Sequence, residues 1–124
     1  MDKLKILLVD DEEEFATTLG ERLGLRGVEA QIATNGESAL EMIDISPPHV
    51  VVLDVRMPGM GGLEVLKHIK ASHPQIPVIL LTGHAATQDG IAGMRMGAYD
   101  YLIKPLAIDD LIKKIKEAVK TLST

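Results

Sequence analysis

The chain has 124 residues, the length of one ordinary domain, which can bury about two-thirds of its unfolded surface without a disulfide or structural metal. It contains no cysteine, which removes disulfide scaffolds, thiolate zinc sites, iron–sulfur clusters and cysteine nucleophiles together. Thirteen Lys and Arg against eighteen Asp and Glu leave a net charge of −5, and with no Trp, one Phe and two Tyr there is neither a basic surface for nucleic acid nor an aromatic platform for bases or a flavin.

In chain order, Leu4–Val9 is a near-continuous aliphatic run, as expected for a strand covered on both faces of a parallel sheet. Phe15, Leu19 and Leu23 then repeat every four residues, on a helix ending near Gly24 and Gly27. Val28, Ala30 and Ile32 alternate with Glu29 and Gln31, which marks a half-covered edge strand. Thr34-Asn35-Gly36-Glu37 has capping-box spacing before Ala39, Leu40 and Ile43, and Pro47-Pro48 closes that helix. Val50–Leu53 is a second buried run, followed by a helical stripe of Leu63, Leu66 and Ile69 that stops near His73-Pro74. Val78–Leu81 is the third buried run. The helix between Thr87 and Met96 is weak, because Gly90 and Gly93 each cost ~1 kcal/mol relative to Ala in a helix interior. Tyr99 to Ile103 is a mixed strand for the other edge, and Ile108, Leu111, Ile112, Ile115, Val119 and Leu122 give the clearest helical period in the chain. Five βα units without a linker or repeat predict an α/β, doubly wound, five-stranded parallel sheet of strand order 2-1-3-4-5, forming a single domain over residues 1–124. No apolar run approaches the ~20 residues of a bilayer span and no signal-peptide pattern precedes the first strand, so a soluble, cytoplasmic domain is expected.

In open α/β sheets ligands bind beyond the carboxyl ends of the strands, so the residue ending each apolar run carries the information. The first run ends in Asp10-Asp11, the third strand in Asp54, the fourth in Thr82 and the fifth in Lys104-Pro105. Any one of these alone is an ordinary helix cap or loop residue. Three carboxylates, a hydroxyl and an ammonium at the ends of four neighbouring strands are a site. The carboxylates repel one another, so either some hold protons or a cation sits among them. Oxygen ligands without His or Cys suit a hard cation such as magnesium, which takes one or two carboxylates and leaves positions for phosphate oxygens. Thr82 and Lys104 supply a hydrogen bond and a full charge for those oxygens, and Asp54 is the natural nucleophile, since a carboxylate can accept a phosphoryl group as an acyl phosphate.

Leu7-Leu8-Val9-Asp10-Asp11-Glu12, Asp54-Val55-Arg56-Met57-Pro58-Gly59-Met60-Gly61-Gly62, Thr82-Gly83-His84 and Gly97-Ala98-Tyr99-Asp100-Tyr101-Leu102-Ile103-Lys104-Pro105 follow one another in the order and at the spacing of a known family. From Leu4 to about Leu122 the chain resembles the receiver domain of two-component response regulators, of flavodoxin-like (βα)5 fold. The resemblance implies Asp54 as the phosphorylation site, Asp10 and Asp11 in magnesium binding (manganese being an alternative ion), and Arg56 as a metal ligand through its backbone carbonyl. It further implies Thr82 and Lys104 as phosphoryl-sensing residues, Tyr101 as an aromatic that changes rotamer on activation, and a cis Lys104-Pro105 bond.

The expected function is therefore a signalling switch and not a conventional enzyme. A sensor histidine kinase, a phosphotransfer protein or a small acyl phosphate donates to Asp54, and a re-formed surface of the fourth helix, fifth strand and fifth helix controls a downstream protein or linked effector domain. Direct nucleic-acid and membrane binding are not expected, and phosphorylation-linked homodimerisation stays open. A receiver-like interaction module that ignores phosphate, and a small aspartyl-phosphate phosphatase, are the alternatives; the latter is disfavoured by Arg56, where a second acidic residue would stand. The glycines at 90, 93 and 97 suit either a cheaply rearranged helix or close packing and a cap. His49, His68, His73 and His84 lack metal-ligand spacing. Met57 and Met60 read as packing, Gly59-Met60-Gly61-Gly62 is no nucleotide loop, Glu12-Glu13-Glu14 reads as a solvated first turn, and the lysines at 113, 114 and 116 as a solvated face or part of a partner-docking surface.

Overall fold

A computed structural model describes residues 3–83 and 87–122; His84 lies outside the described residues. Strands β1 (Leu4–Val9), β2 (Val28–Ala33), β3 (Val50–Asp54), β4 (Val78–Thr82) and β5 (Asp100–Ile103) alternate with helices α1 (Glu13–Leu25), α2 (Gly36–Ile45), α3 (Gly62–Ser72), α4 (Thr87–Arg95) and α5 (Ile108–Leu122). All strand pairs are parallel and the order is β2-β1-β3-β4-β5, as the aliphatic and alternating runs predict. Every residue of β3 and β4 is buried, β2 exposes Glu29 and Gln31 between buried or half-buried neighbours, and β5 is half-buried throughout.

The pleat divides the core in two, because successive side chains of a strand point to opposite faces. Leu7, Val9, Val51, Leu53, Val78 and Leu80 pack against Ala39 and Ile43 of α2 and Val65, Leu66 and Ile69 of α3. Ile6, Leu8, Val50, Val52, Ile79 and Leu81 pack against Leu19 and Leu23 of α1 and Leu111 and Ile115 of α5. Continuous aliphatic runs are what a sheet covered on both sides requires.

Two local features differ from the sequence expectation. The spacing at 34–37 suggests a box capped by Thr34, but the Asn35 side chain caps α2, accepting from the Ser38 N–H at 2.8 Å. Both are good caps, and the helix begins one residue later than the box requires. Among the lysines of α5, Lys113 and Lys116 are exposed, whereas Lys114 is half-buried and bonded to Asp100 at 2.8 Å.

The glycines of α4 resolve in favour of packing. A Cβ on Gly93 would collide with Leu80 Cδ1 of the central strand β4, and one on Gly90 would lie 2.7 Å from Tyr101 Cδ2. Gly97, at φ +104°, ends the helix in a Schellman turn, its N–H bonded to Met94 O at 3.2 Å and the Ala98 N–H to Gly93 O at 2.9 Å. By contrast, a Cβ at Gly24 in the last turn of α1 would meet nothing within 4 Å. Gly93→Ala is expected to destabilise the domain by about 1–3 kcal/mol through overpacking, and Gly24→Ala to stabilise it by up to about 1 kcal/mol, as read from urea midpoints.

Candidate functional site

The ends of β1 and β3, where the winding direction of the sheet reverses, carry the acidic residues. The Asp10 N–H bonds to Ala33 O at 3.0 Å, continuing the ladder one residue past β1, and leaves its side chain fully buried. Asp54 ends β3, with its carboxyl also buried, and the Val55 N–H bonds to Leu81 O at 3.1 Å beyond it. α3 starts hard against this strand end. The Gly62 N–H donates to Val55 O at 2.9 Å, and a Cβ there would collide with Asp54 O, so only glycine lets the helix begin so close. Lys104 reaches the same place from the end of β5, where its N–H bonds to Thr82 O at 2.7 Å, and the bond to Pro105 is cis.

The side chains converge. Oxygen atoms of Asp10, Asp11 and Asp54 all lie within 4.8 Å of one another, two of these residues buried and Asp11 exposed. Lys104 Nζ donates to Asp10 Oδ2 at 3.0 Å and stands 3.5 Å from Asp54 Oδ1 and 3.7 Å from Glu12 Oε1. The other oxygen of Asp10 accepts from the Glu12 N–H at 2.9 Å, so this carboxylate both ties down the start of α1 and holds the lysine. The bland capping role and the site role coexist in one residue.

One ammonium does not balance this cluster. At an effective dielectric of about 20, each carboxylate pair at such distances repels by about 3–4 kcal/mol. Burial first, then Asp10, with a smaller push from Asp11, drives the Asp54 carboxyl from an ordinary 3.8 up to about 6 against the pull of Lys104. For Lys104, burial lowers the affinity for the proton, but the Asp10 hydrogen bond and the charges of Asp54, Asp10 and Glu12 outweigh it and the pKa is raised. The pocket suits a hard dication, and it is the only His, Asp and Glu cluster among the described residues with that geometry.

Thr82 is 1% exposed, and its Oγ1 has no hydrogen-bond partner among the described residues. A buried hydroxyl without a partner costs about 1–3 kcal/mol, a cost that an arriving anionic oxygen would remove. Tyr101 is half-buried, its ring against Gly90 and the α2–α3 side of the core. It pairs in register with Leu80, so Tyr101, Leu80 and Thr82 occupy one face of the sheet.

Arg56 follows Asp54 in the β3–α3 loop, and its exposed side chain bonds through Nε to Asp89 Oδ2 of α4 at 3.2 Å. This link, and the contacts of Lys104 with Glu12 and with the Phe15 ring, whose centroid is 4.5 Å from Nζ, are not readable from the chain. Glu12 has the profile of a solvated helix start and Phe15 that of a core stripe; their adjacency to Asp10-Asp11 is the only signal they carry. His49 and His73 are engaged elsewhere. His73 Nε2 is 2.8 Å from Asp44 Oδ1, and His49 Nδ1 accepts from the Lys5 N–H at 2.9 Å. Met57 is buried and Met60 partly so, both in the core beneath the loop.

Fold and pocket together define a doubly wound domain with an oxygen-lined acidic site at its switch point. The sequence pattern of the response regulator receiver domain matches residues 6–116, and the chain belongs to that family, the signalling switches of two-component systems. It is 37% identical to the regulatory protein AtoC of Escherichia coli over 116 residues, covering 94% of this chain and 25% of AtoC. It is 38% identical to the transcriptional regulatory protein YkoG of Bacillus subtilis over 120 residues, covering 97% of this chain and 53% of that protein. The chain thus spans a quarter to about half the length of these relatives. The receiver domain of NtrX from Brucella abortus superposes with a TM-score of 0.89 at 36% identity, covering 94% of this chain and 98% of that one. A CheY-like receiver domain protein from Methanospirillum hungatei gives 0.92 at 28% identity, covering 98% of both chains.

Because Asp54 binds its proton more tightly in the folded state, its stability contribution is full below pH 3.8 and is lost as pH rises through about 6. In EDTA, Asp54→Asn is therefore expected to raise stability above pH 6 by up to about 3 kcal/mol and to flatten its fall between pH 4 and 6, measured by thermal melts across pH.

Proposed function

We propose that residues 1–124 form a single receiver domain that works as a phosphorylation-dependent switch, with Asp54 as phosphoacceptor. An oxygen of the Asp54 carboxylate forms the new bond to phosphorus, while the bond from phosphorus to a phosphohistidine nitrogen, or to the oxygen of a small acyl phosphate, breaks and its electron pair leaves with the donor. The observation that carries this reading is the buried Asp54 carboxyl standing 3.5 Å from the Lys104 ammonium and within 4.8 Å of Asp10 and Asp11.

Asp10, Asp11, the Asp54 carboxylate and the Arg56 backbone carbonyl would hold Mg2+, or Mn2+ in its place. A bound ion supplies charge neutralisation for the acceptor and phosphoryl oxygens. The donor set fits, being all oxygen and too negative for Lys104 to balance. Lys104 then pairs with one phosphoryl oxygen and the Thr82 hydroxyl donates to another, gaining the partner it lacks. Thr82 and Tyr101 share one sheet face, so movement of the first opens space toward the second. The ring then turns inward and the surface formed by α4, β5 and α5 changes. On α4 that surface exposes Ile91 at 45% and Met94 at 41%, apolar positions suited to a protein contact.

The phosphodonor is a sensor histidine kinase or phosphotransfer protein, which places the domain in the cytoplasm. Its output passes to a linked effector domain or a separate protein, in keeping with relatives such as the DNA-binding transcriptional regulator NtrC of Escherichia coli, of which the chain covers 24%. The domain itself, at net charge −5, makes no direct nucleic-acid contact, and phosphorylation-linked homodimerisation would use the same α4–β5–α5 surface. Slow self-dephosphorylation is the only turnover assigned to it.

With acetyl phosphate and Mg2+, the protein is expected to take up one phosphoryl group, and Asp54→Asn none; undiminished stoichiometric labelling of that variant would move the site elsewhere. Beryllofluoride with Mg2+ is expected to shift the amide resonances of Thr82, Tyr101, α4 and α5, and EDTA to reverse the shifts. An unchanged spectrum would favour an interaction module that phosphate does not switch.

A further inference from the structure

We propose that Phe15 is a positioning residue for Lys104. Its ring face keeps the ammonium over the Asp10 and Asp54 carboxylates, and so sets how fast Asp54 gains its phosphoryl group. The inference rests on the phosphotransfer reading above and adds to it a residue outside the acidic set.

Lys104 Nζ lies 4.5 Å from the centroid of the Phe15 ring, inside the ~6 Å range in which the ring quadrupole attracts a cation. This is the only phenylalanine in the chain. The ring is firmly seated, since Phe15 in the first turn of α1 also packs against the core cluster beneath α1 and α5. Apart from this ring, the ammonium is held among the described residues by its carboxylate partners. Among those residues it donates one hydrogen bond, to Asp10 Oδ2 at 3.0 Å, its distances to Asp54 and Glu12 are 3.5 and 3.7 Å, and the lysine side chain keeps 20% of its exposure. Glu12, itself 69% exposed, offers the ammonium a way out to water on a flexible four-carbon stem.

Phosphoryl transfer makes a specific demand on such a group. As the Asp54 oxygen bonds to phosphorus, Lys104 must give up or share its bond to Asp10 and take a phosphoryl oxygen. Hydrogen bonds are directional and change in this exchange, whereas attraction to a ring face does not depend on which oxygen accepts. Phe15 therefore holds the cation in place while its anionic partner changes. An aliphatic side chain at this position fills the same apolar seat but has no quadrupole.

The test compares wild type, Phe15→Leu and Phe15→Tyr, each shown by amide spectra to be folded. In wild type and Phe15→Tyr the Lys104 ε-methylene proton resonances are expected upfield, in the ring current, and at ordinary lysine positions in Phe15→Leu. Labelling by acetyl phosphate in saturating Mg2+ should slow about fivefold in Phe15→Leu and recover in Phe15→Tyr. Wild-type ε-methylene resonances at ordinary positions, or a folded Phe15→Leu labelled at the wild-type rate, would overturn the role of Phe15 and leave Asp54 as phosphoacceptor. A wild-type protein that takes no label would overturn the phosphotransfer reading, and the role of Phe15 with it. The wild-type spectrum decides independently of how well either variant folds.

Discussion

The Lys104 ammonium, 3.0 Å from one buried carboxylate and 3.5 Å from another, is the contact around which the rim of the sheet is organised. It joins the end of the last strand to the ends of the first and third, across 94 residues of chain in the case of Asp10. Removing Asp10 would leave the ammonium without its hydrogen-bond partner, a cost that exceeds what an exposed ion pair is worth. Yet the pair is undercompensated, because two further carboxylates crowd the same space. The site is stable enough to fold and negative enough to want a visitor.

The pleat decides what that visitor can influence. Asp54 shares its strand face with Val50 and Val52, on the α1–α5 side of the sheet, whereas Thr82 shares its face with Val78 and Leu80, on the side of α2, α3 and α4. The Asp54 carboxyl therefore stands at the top edge of the sheet with the Lys104 ammonium 3.5 Å away and Thr82 ending the next strand. Tyr101, beside Leu80, lies on the Thr82 flank. Two adjacent strand ends thus send side chains to opposite layers, one of them the layer that carries α4.

The strands were legible because β3 and β4 are buried along their length and β1 over Ile6–Val9, where nearly every residue is aliphatic, while Glu29 and Gln31 expose the edge strand β2. The acidic cluster was legible because parallel strands bring all their carboxyl ends to one rim, which turns positions far apart in sequence into neighbours. What was hidden depends on partners that no local pattern names. Gly90 and Gly93 look like weak helix residues until Tyr101 and Leu80 are seen pressed against them. Phe15 looks like core, and Glu12 like a solvated turn, until Lys104 arrives from the far end of the chain. Thr34 and Asn35 are chemically equivalent candidates for one cap, and the backbone geometry of a single residue chooses between them.

The bond from Arg56 to Asp89 runs between the loop that follows Asp54 and the first turn of α4. With the arginine side chain 70% exposed, such a pair is worth about 0.2–1 kcal/mol, close to the thermal energy. It behaves as a soft tether: it opens and recloses without unfolding anything, and dissolved salt weakens it further. The seat of α4 on the sheet is therefore governed by shape, through the two glycines that let Leu80 and Tyr101 approach its backbone. A helix fastened by fit and only lightly by charge can be re-seated by a small change in the shape beneath it, without any strong bond having to be severed first.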